Sequence, residues 1–133
     1  IFHVEGIEEK MGIKYVEMDE LLAMSDVISV HAPAADGGAL INKENIAKMK
    51  DGVIIVNTSR GANVDEAALL EALNSGKVKA AGLDVFMTES ISNPELVNHP
   101  AVSATPHIGS GTKEAQKMIG TELVEIVEEF AKR

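Results

Sequence analysis

The run Val53-Ile54-Ile55-Val56, made up entirely of β-branched residues, constrains the fold most strongly. A run of this kind between turn-forming residues predicts a strand that is buried on both faces. Strands buried in this way are typical of parallel sheets, which bind ligands beyond the carboxyl ends of their strands. Arg60 follows this strand directly and is therefore placed at the predicted binding edge. On position alone, the alternative of a surface arginine that opens a loop stays open.

Strand and helix patterns alternate along the rest of the chain. This alternation predicts an α/β fold, a three-layer Rossmann-type parallel sheet with helices on both faces. Main strands are predicted at 27–31, 53–57, 78–85 and 101–104, with a further short strand at 13–16. Helices are predicted at 4–11, 18–24, 43–49 and 112–131, and another has Asp65 and Glu66 in its first turn and Gly76 as its C-cap.

Chemically useful side chains follow three of these predicted strands. Arg60 follows the strand at 53–57, Glu89 follows the strand at 78–85, and His107 follows the strand at 101–104. Because parallel strands open onto one edge, Arg60, Glu89 and His107 could converge there. A histidine oriented by a carboxylate can transfer protons near neutral pH, and an arginine can hold a substrate carboxylate through two parallel hydrogen bonds. The sequence thus predicts a candidate catalytic site at this edge.

Composition narrows the function classes. The chain has 133 residues, no cysteine and a formal net charge of −9. Its acidity argues against binding to nucleic acid or to anionic membranes, which requires clustered Lys and Arg. Without cysteine there is no disulfide and no thiolate nucleophile, and we predict no metal site. No apolar stretch reaches the length of about 18 residues that spans a bilayer, so we expect a cytoplasmic protein.

The chain contains the motifs HAP (31–33), MKDGVIIVNTSRGANVDEAALLEAL (49–73), SGKVKAAGLDVF (75–86) and TPHIG (105–109). Together these motifs resemble those of a known family, the D-isomer-specific 2-hydroxyacid dehydrogenases, in the part of these enzymes that binds nicotinamide. The last motif, at 107–116, is most similar to the form found in the D-3-phosphoglycerate dehydrogenases. The resemblance extends along essentially the whole chain.

The resemblance implies catalytic roles for three residues. Arg60 would bind the substrate carboxylate and the oxygen on carbon 2. His107 would exchange a proton with that oxygen while hydride moves to or from the nicotinamide. Glu89 would orient His107. The implied reaction is hydride transfer between NAD and a D-2-hydroxy acid, with 3-phosphoglycerate as the closest substrate match and serine biosynthesis as its setting.

The resemblance also implies a set of residues that bind NAD. Asp84 would accept a hydrogen bond from the nicotinamide carboxamide, and Ala32 and Pro33 would lie against the adenosine end. Residues on the nicotinamide side would be Thr58, Ser59, Arg60, His107, Gly109 and Ser110.

One family feature does not occur in the sequence, since no glycine-rich G-x-G-x-x-G turn follows a predicted strand. We therefore expect residues 1–133 to be part of an NAD-binding domain, without its glycine-rich first βαβ unit and without the substrate domain. The strand at 13–16 would then lack its usual neighbours. It would pair either with the strand at 27–31 or, through an exposed edge, with another chain.

Three functional hypotheses remain at this point. The first is that the parent protein is an NAD-dependent 2-hydroxyacid dehydrogenase that acts on a small 2-hydroxy or 2-oxo acid and forms a homodimer or homotetramer. The second hypothesis is a non-catalytic relative, such as a co-repressor, that keeps the cofactor residues on the same fold. The third is an inactive folding fragment. Cofactor binding by the chain and activity of the parent distinguish these hypotheses.

We expect the isolated chain to bind NAD only weakly and to show no turnover. The reason is that the family's pyrophosphate turn and its ribose-binding acid do not occur in this sequence. Isothermal titration calorimetry should give a dissociation constant weaker than about 1 μM, which corresponds to a binding free energy less favourable than about −8 kcal/mol. A tighter constant would contradict the importance assigned to that first unit.

Overall fold

The computed structural model describes residues 6–34, 37–88 and 93–132. Its helices are α1 (Ile7–Met11), α2 (Met18–Met24), α3 (Lys43–Lys48), α4 (Glu66–Ser75), α5 (Pro94–Val97) and α6 (Lys113–Ala131). Its strands are β1 (Val27–Val30), β2 (Val53–Asn57), β3 (Val78–Leu83) and β4 (Val102–Ala104). A 3₁₀ turn spans Gly61–Asn63. The predicted main strands and helices are therefore present, with ends that differ by a few residues.

The strands form one parallel sheet in the order β1-β2-β3-β4. This order follows the order of the strands along the chain, and at least one helix lies between each strand and the next. The predicted α/β class with a Rossmann-like parallel sheet is confirmed. All four carboxyl ends lie at the same edge of the sheet, as the prediction of a binding edge required.

The core lies mainly against one face of the sheet. On that face Ile28, Val30 and Ile55 are buried, whereas Val27 and Ser29 of the opposite face are exposed. Because successive residues of a strand point to opposite faces, this pattern assigns one side to the core. Helix α4 contributes Leu69 and Leu73 to that core.

The predicted strand at 13–16 is wrong. Residues 13–17 form neither strand nor helix, and the backbone N–H of Tyr15 donates to Oε1 of Glu8 at 2.8 Å. A strand exists only when its backbone groups have a hydrogen-bonding neighbour, and within the described residues none of the strands pairs with this segment. The helix predicted at 4–11 starts at Ile7 in the described residues, while residues 1–5 lie outside them.

Helix α6 is formed as predicted, with the Thr112 side chain accepting a hydrogen bond from the Ala115 amide at its N-terminus. Its apolar side, however, is not packed against the rest of the described chain. Met118 and Phe130 are 72% and 78% exposed. The amphipathic pattern therefore predicted the helix correctly but did not predict its environment. Within the described residues, no helix is both long enough and apolar enough to cross a membrane.

Helix α4, which follows the Arg60 loop, is defined at both ends by local chemistry. The Asp65 side chain accepts hydrogen bonds from the amides of Ala67 and Ala68, which satisfies two otherwise free donors. Gly76 ends the helix in the left-handed conformation, with φ of 79°. These caps hold the helix that begins immediately beyond the predicted site.

We expect Asp65→Ala to destabilise the chain by about 1 kcal/mol, because both capping hydrogen bonds are lost. Asp65→Asn keeps a capping oxygen and should stay within about 0.5 kcal/mol of the wild type. Urea unfolding followed by circular dichroism measures both changes. Equal stability of the alanine and asparagine variants would contradict a capping role for this side chain.

Candidate active site

A cleft of about 680 Å³ opens at the carboxyl edge of the sheet. It lies where the chain leaves β2, β3 and β4, and it contains both charged and apolar side chains. Its size lies within the range of small-molecule sites, roughly 300–1,000 Å³. The lining residues are Ala34, Arg60, Gly61, Ala62, Asp84, Val85, Phe86, Met87, Pro106, His107 and Ser110.

The turn that carries Arg60 is organised by the fully buried side chain of Asn57. Oδ1 of Asn57 accepts hydrogen bonds from the Ser59 amide at 3.0 Å and from the Ser59 hydroxyl at 2.7 Å. Nδ2 of Asn57 donates to the Arg60 carbonyl at 2.9 Å. The Arg60 side chain itself is exposed, and its Nη1 donates to the Ser59 carbonyl at 2.7 Å.

Gly61 brings the Arg60 turn against the loop that follows β3. A Cβ atom at this position would overlap the Phe86 carbonyl group and the Met87 nitrogen. The Met87 amide in turn donates to Oε1 of Glu66 at 2.9 Å, so the first turn of α4 holds the same backbone segment. Only glycine permits so close a backbone approach. The two walls of the cleft are therefore in direct contact at their base.

The carboxylate of Asp84 organises the loop that carries His107. Its Oδ1 accepts hydrogen bonds from the Thr105 hydroxyl at 2.6 Å and from the Ile108 amide at 2.9 Å. Its Oδ2 accepts a hydrogen bond from the Gly109 amide at 3.0 Å. Asp84 is only 7% exposed, so these bonds replace the water that a carboxylate normally requires.

These hydrogen bonds determine the charge state of Asp84. The Thr105 hydroxyl and the Ile108 amide hold the pKa of the Asp84 carboxyl below its usual range, and the Gly109 amide and the charge of His107 act in the same direction. Desolvation raises the pKa, but by less than the combined hydrogen bonds and the charge of His107 lower it. A carboxylate that accepts several hydrogen bonds is stabilised in its ionised form. Asp84 therefore presents a permanent negative charge beside His107 near neutral pH.

His107 lies at the mouth of the cleft, in an exposed turn. Its backbone has a φ of 57°, which makes it the one non-glycine residue with positive φ in the described chain. Histidine is among the side chains that tolerate this left-handed conformation. Thr105, two residues before His107, and Ile108, directly after it, are both bonded to Asp84, so the turn is held at two points around His107.

The structure brings together part of the predicted site. Arg60, Asp84, His107 and Ser110 line one cleft, and Ala34 from the turn after β1 joins them. Glu89, the third predicted catalytic residue, lies outside the described residues.

The remaining predicted cofactor residues border the cleft region without lining it. Ser59 directs its hydroxyl inward to Asn57, and the Ala32 carbonyl accepts a hydrogen bond from Nδ2 of Asn63 at 2.8 Å. Gly109 contributes its amide to Asp84. Thr58 and Pro33 are exposed next to these positions.

The sequence analysis did not identify Asn57, Asn63 or Thr105 as contributors to the site. Asn57 and Asn63 are both fully buried and link the turns after β1 and β2. A polar amide at the end of an apolar strand is a usable signal, because a buried amide must have hydrogen-bond partners. Spacing alone could not identify which partners those are.

Comparisons with known proteins agree on the kind of domain. Residues 3–109 match the family model described as D-isomer specific 2-hydroxyacid dehydrogenase, NAD binding domain. Hydroxypyruvate reductase of Thermotoga maritima is 52% identical over 89% of this chain, which spans 40% of that protein. D-3-phosphoglycerate dehydrogenase of Bacillus subtilis is 46% identical over 98% of this chain, which spans 25% of that protein.

A solved structure gives the same result at the level of the fold. The D-lactate dehydrogenase of Aquifex aeolicus, in complex with NAD and lactic acid, superposes with a TM-score of 0.83 at 38% identity. The superposition covers 99% of this chain and 44% of the other. The chain therefore spans less than half the length of each of these relatives.

The lowered pKa of Asp84 leads to a prediction about pH. A carboxyl group with a lower pKa in the folded state stabilises the fold above its unfolded pKa, near the ordinary value of 3.8. That contribution is lost as the pH falls through the folded pKa. We expect Asp84→Asn to be less stable than the wild type at neutral pH and to lose less stability as the pH falls to about 3. Urea unfolding at a series of pH values measures this difference.

The control is Asp51→Asn. The pKa of Asp51 is also lowered, by its hydrogen bond with Lys77, but this carboxylate is exposed and screened by solvent. The Asp51 variant should follow the wild-type pH dependence much more closely. Parallel stability curves for the wild type and Asp84→Asn would contradict the stabilising role of the Asp84 charge.

Proposed function

This chain belongs to the D-isomer specific 2-hydroxyacid dehydrogenases and carries residues of their NAD binding domain, and from this we propose that its parent protein oxidises a D-2-hydroxy acid with NAD. The observation that carries the proposal is the shared cleft of Arg60, Asp84 and His107 at the carboxyl edge of the sheet. An anion-binding group, a fixed carboxylate and a proton-transfer group are combined there. The oxidation of a hydroxy acid requires a group that binds its carboxylate and a group that accepts its hydroxyl proton, and the fixed carboxylate can bind the cofactor.

Arg60 supplies the anion-binding group. Its guanidinium is exposed at the cleft and can donate two parallel hydrogen bonds to a substrate carboxylate. In this proposal it also contacts the oxygen on carbon 2, which brings the reacting carbon to a defined place. Lysine carries the same charge but lacks this planar geometry.

His107 supplies the proton-transfer group. In the direction of oxidation it accepts the proton of the hydroxyl on carbon 2, and in the direction of reduction it returns that proton to the carbonyl oxygen. The hydrogen bonds that Asp84 accepts from Thr105 and Ile108 hold the turn on both sides of it. Glu89 is proposed to orient His107, on the basis of the family motif.

The residues of the cleft fit NAD as the cofactor, which when bound supplies the site that accepts or donates the hydride. The Asp84 carboxylate accepts three hydrogen bonds within the described residues and lines the cleft. Because an ionised carboxylate offers about four acceptor positions, it can accept another donor such as a carboxamide N–H. Ala32, Pro33, Thr58, Ser59, Gly109 and Ser110 are proposed as the other cofactor contacts.

We propose 3-phosphoglycerate as the substrate, and serine biosynthesis in the cytoplasm as the setting. The support is the motif at 107–116 and the similarity to the Bacillus subtilis protein over 98% of this chain. Hydroxypyruvate is the competing substrate, because the Thermotoga maritima relative is named for its reduction. Parallel assays of the parent protein with 3-phosphoglycerate, hydroxypyruvate and lactate distinguish them. We propose a homodimer or homotetramer for the parent.

Arg60→Lys in the parent protein tests the proposed reaction. We expect kcat/KM for reduction of the 2-oxo acid to fall by about two orders of magnitude, or roughly 3 kcal/mol of transition-state stabilisation. The affinity for NADH should change much less, because in this proposal the guanidinium contacts the substrate. Steady-state kinetics with each substrate varied in turn measures both effects.

His107→Ala is the companion variant, and it should remove most turnover at every pH because the proton-transfer group is absent. An Arg60→Lys enzyme with wild-type kinetics toward 2-oxo acids would exclude the arginine from the mechanism. A parent protein that binds NAD but reduces no 2-oxo acid, with both wild-type residues present, would favour the non-catalytic relative instead.

A further inference from the structure

Asn57 stands at the end of β2 with every one of its side-chain bonds directed to the Arg60 turn. The side chain is fully buried, yet it occupies the last position of a strand whose other residues are aliphatic. A buried amide costs free energy unless it is hydrogen-bonded, so a core position at a strand end would ordinarily favour valine or isoleucine. The amide therefore has a specific local task.

The contacts of Asn57 define that task. Oδ1 accepts from the amide and the hydroxyl of Ser59, and Nδ2 donates to the Arg60 carbonyl at 2.9 Å. One planar group thus bonds the Ser59 amide and the Arg60 carbonyl, which flank the peptide bond between these two residues. The Arg60 carbonyl also accepts from the Asn63 amide at 3.1 Å. These bonds fix the direction in which the Arg60 Cα–Cβ bond leaves the turn.

The backbone of Asn57 links this turn to the other wall of the cleft. Its carbonyl accepts a hydrogen bond from the Asp84 amide at 3.0 Å, and Asn57 pairs with Leu83 in the sheet register. Asp84 in turn holds the loop of His107. Asn57 is therefore a common attachment point for the turn of the arginine and the loop of the histidine.

We propose that Asn57 is a positioning residue, which aims the Arg60 guanidinium at the substrate carboxylate without contacting the substrate itself. This inference rests on the proposed function, since it assigns Arg60 to the carboxylate of a 2-oxo or 2-hydroxy acid. Misplacing a binding group by a fraction of an ångström weakens two-pronged hydrogen bonds disproportionately. Loss of the Asn57 donor therefore impairs substrate binding more than cofactor binding.

Asn57→Asp in the parent protein isolates the bond to the Arg60 carbonyl. Aspartate has the same shape and keeps an oxygen for the Ser59 donors, but in its ionised form it turns a second oxygen toward a carbonyl oxygen. We expect KM for the 2-oxo acid to rise about tenfold or more, while KM for NADH stays within about twofold. A variant in which a fraction of the molecules is unfolded would show a lower apparent kcat, while both KM values would stay unchanged.

The pH dependence provides a second measurement. Burial raises the pKa of a carboxyl group, and a protonated aspartate can donate to the Arg60 carbonyl as the asparagine does. KM of the Asn57→Asp enzyme for the 2-oxo acid, divided by the wild-type value at each pH, should therefore fall toward one as the pH decreases. A ratio that is constant over the accessible pH range contradicts the inference.

Asn45→Asp is the control. Asn45 receives the same substitution and its Nδ2 likewise donates to a backbone carbonyl, that of Leu40 at 2.8 Å, but neither residue lines the cleft or bonds to the Arg60 turn. It should lower stability and leave KM for the 2-oxo acid within about twofold of the wild type. Equal increases in KM for the two variants would overturn the specific role of Asn57.

Two further comparisons keep the inference testable. Asn57→Thr is the alternative if the aspartate variant does not fold. Threonine suits a strand but cannot bond both the Ser59 amide and the Arg60 carbonyl, so we expect the same rise in KM for the 2-oxo acid. Arg60→Lys measured in parallel separates the two claims. A large effect of Arg60→Lys with none from the Asn57 variants overturns only the positioning role, whereas a wild-type parent without activity toward 2-oxo acids overturns the proposed function and this inference together.

Discussion

The site depends on the parallel alignment of β2 and β3, which ends both strands at the same level. Asn57 pairs with Leu83, and the carbonyl of Asn57 accepts the amide of Asp84. Because the chain leaves both strands at this pair, the Arg60 turn and the Asp84 loop begin side by side. At Gly61 the two loops lie backbone against backbone, because a Cβ atom there would overlap the Phe86 carbonyl. A sheet of ordinary aliphatic residues thus determines the relative position of three charged or titratable groups.

Much of this arrangement is predictable from sequence because strand ends are predictable. The apolar run before Arg60 and the alternation of strands and helices suffice for a parallel sheet whose carboxyl edge carries Arg60 and His107. Asp84 is assigned to the site through the motif resemblance, and Glu89 lies outside the described residues. The motif resemblance then supplies the reaction, which no spacing argument could provide. Capping residues such as Asp65 and Gly76 are equally accessible, since their preferences are local.

The parts that could not be predicted depend on contacts between distant residues. The segment 13–16 has the composition of a strand, but no strand of the described residues pairs with it, so its pattern is misleading. The Ser59 hydroxyl bonds to Asn57, a contact that its position in the sequence does not reveal. The three donors on Asp84 come from residues more than 20 positions away, which no local pattern reveals. The apolar side of α6 is likewise visible in sequence, whereas its exposure is not.

The backbone contact at Gly61 also sets unequal limits on how this chain can diverge. The contact uses the main-chain atoms of residues 86 and 87, which every amino acid possesses, whereas on the other side it requires the absence of a side chain. Met87, whose side chain is 63% exposed, can therefore be replaced by many residue types without disturbing the base of the cleft. Position 61 has no such freedom. Along a lineage of such proteins, the glycine should stay constant while its direct neighbour across the cleft varies.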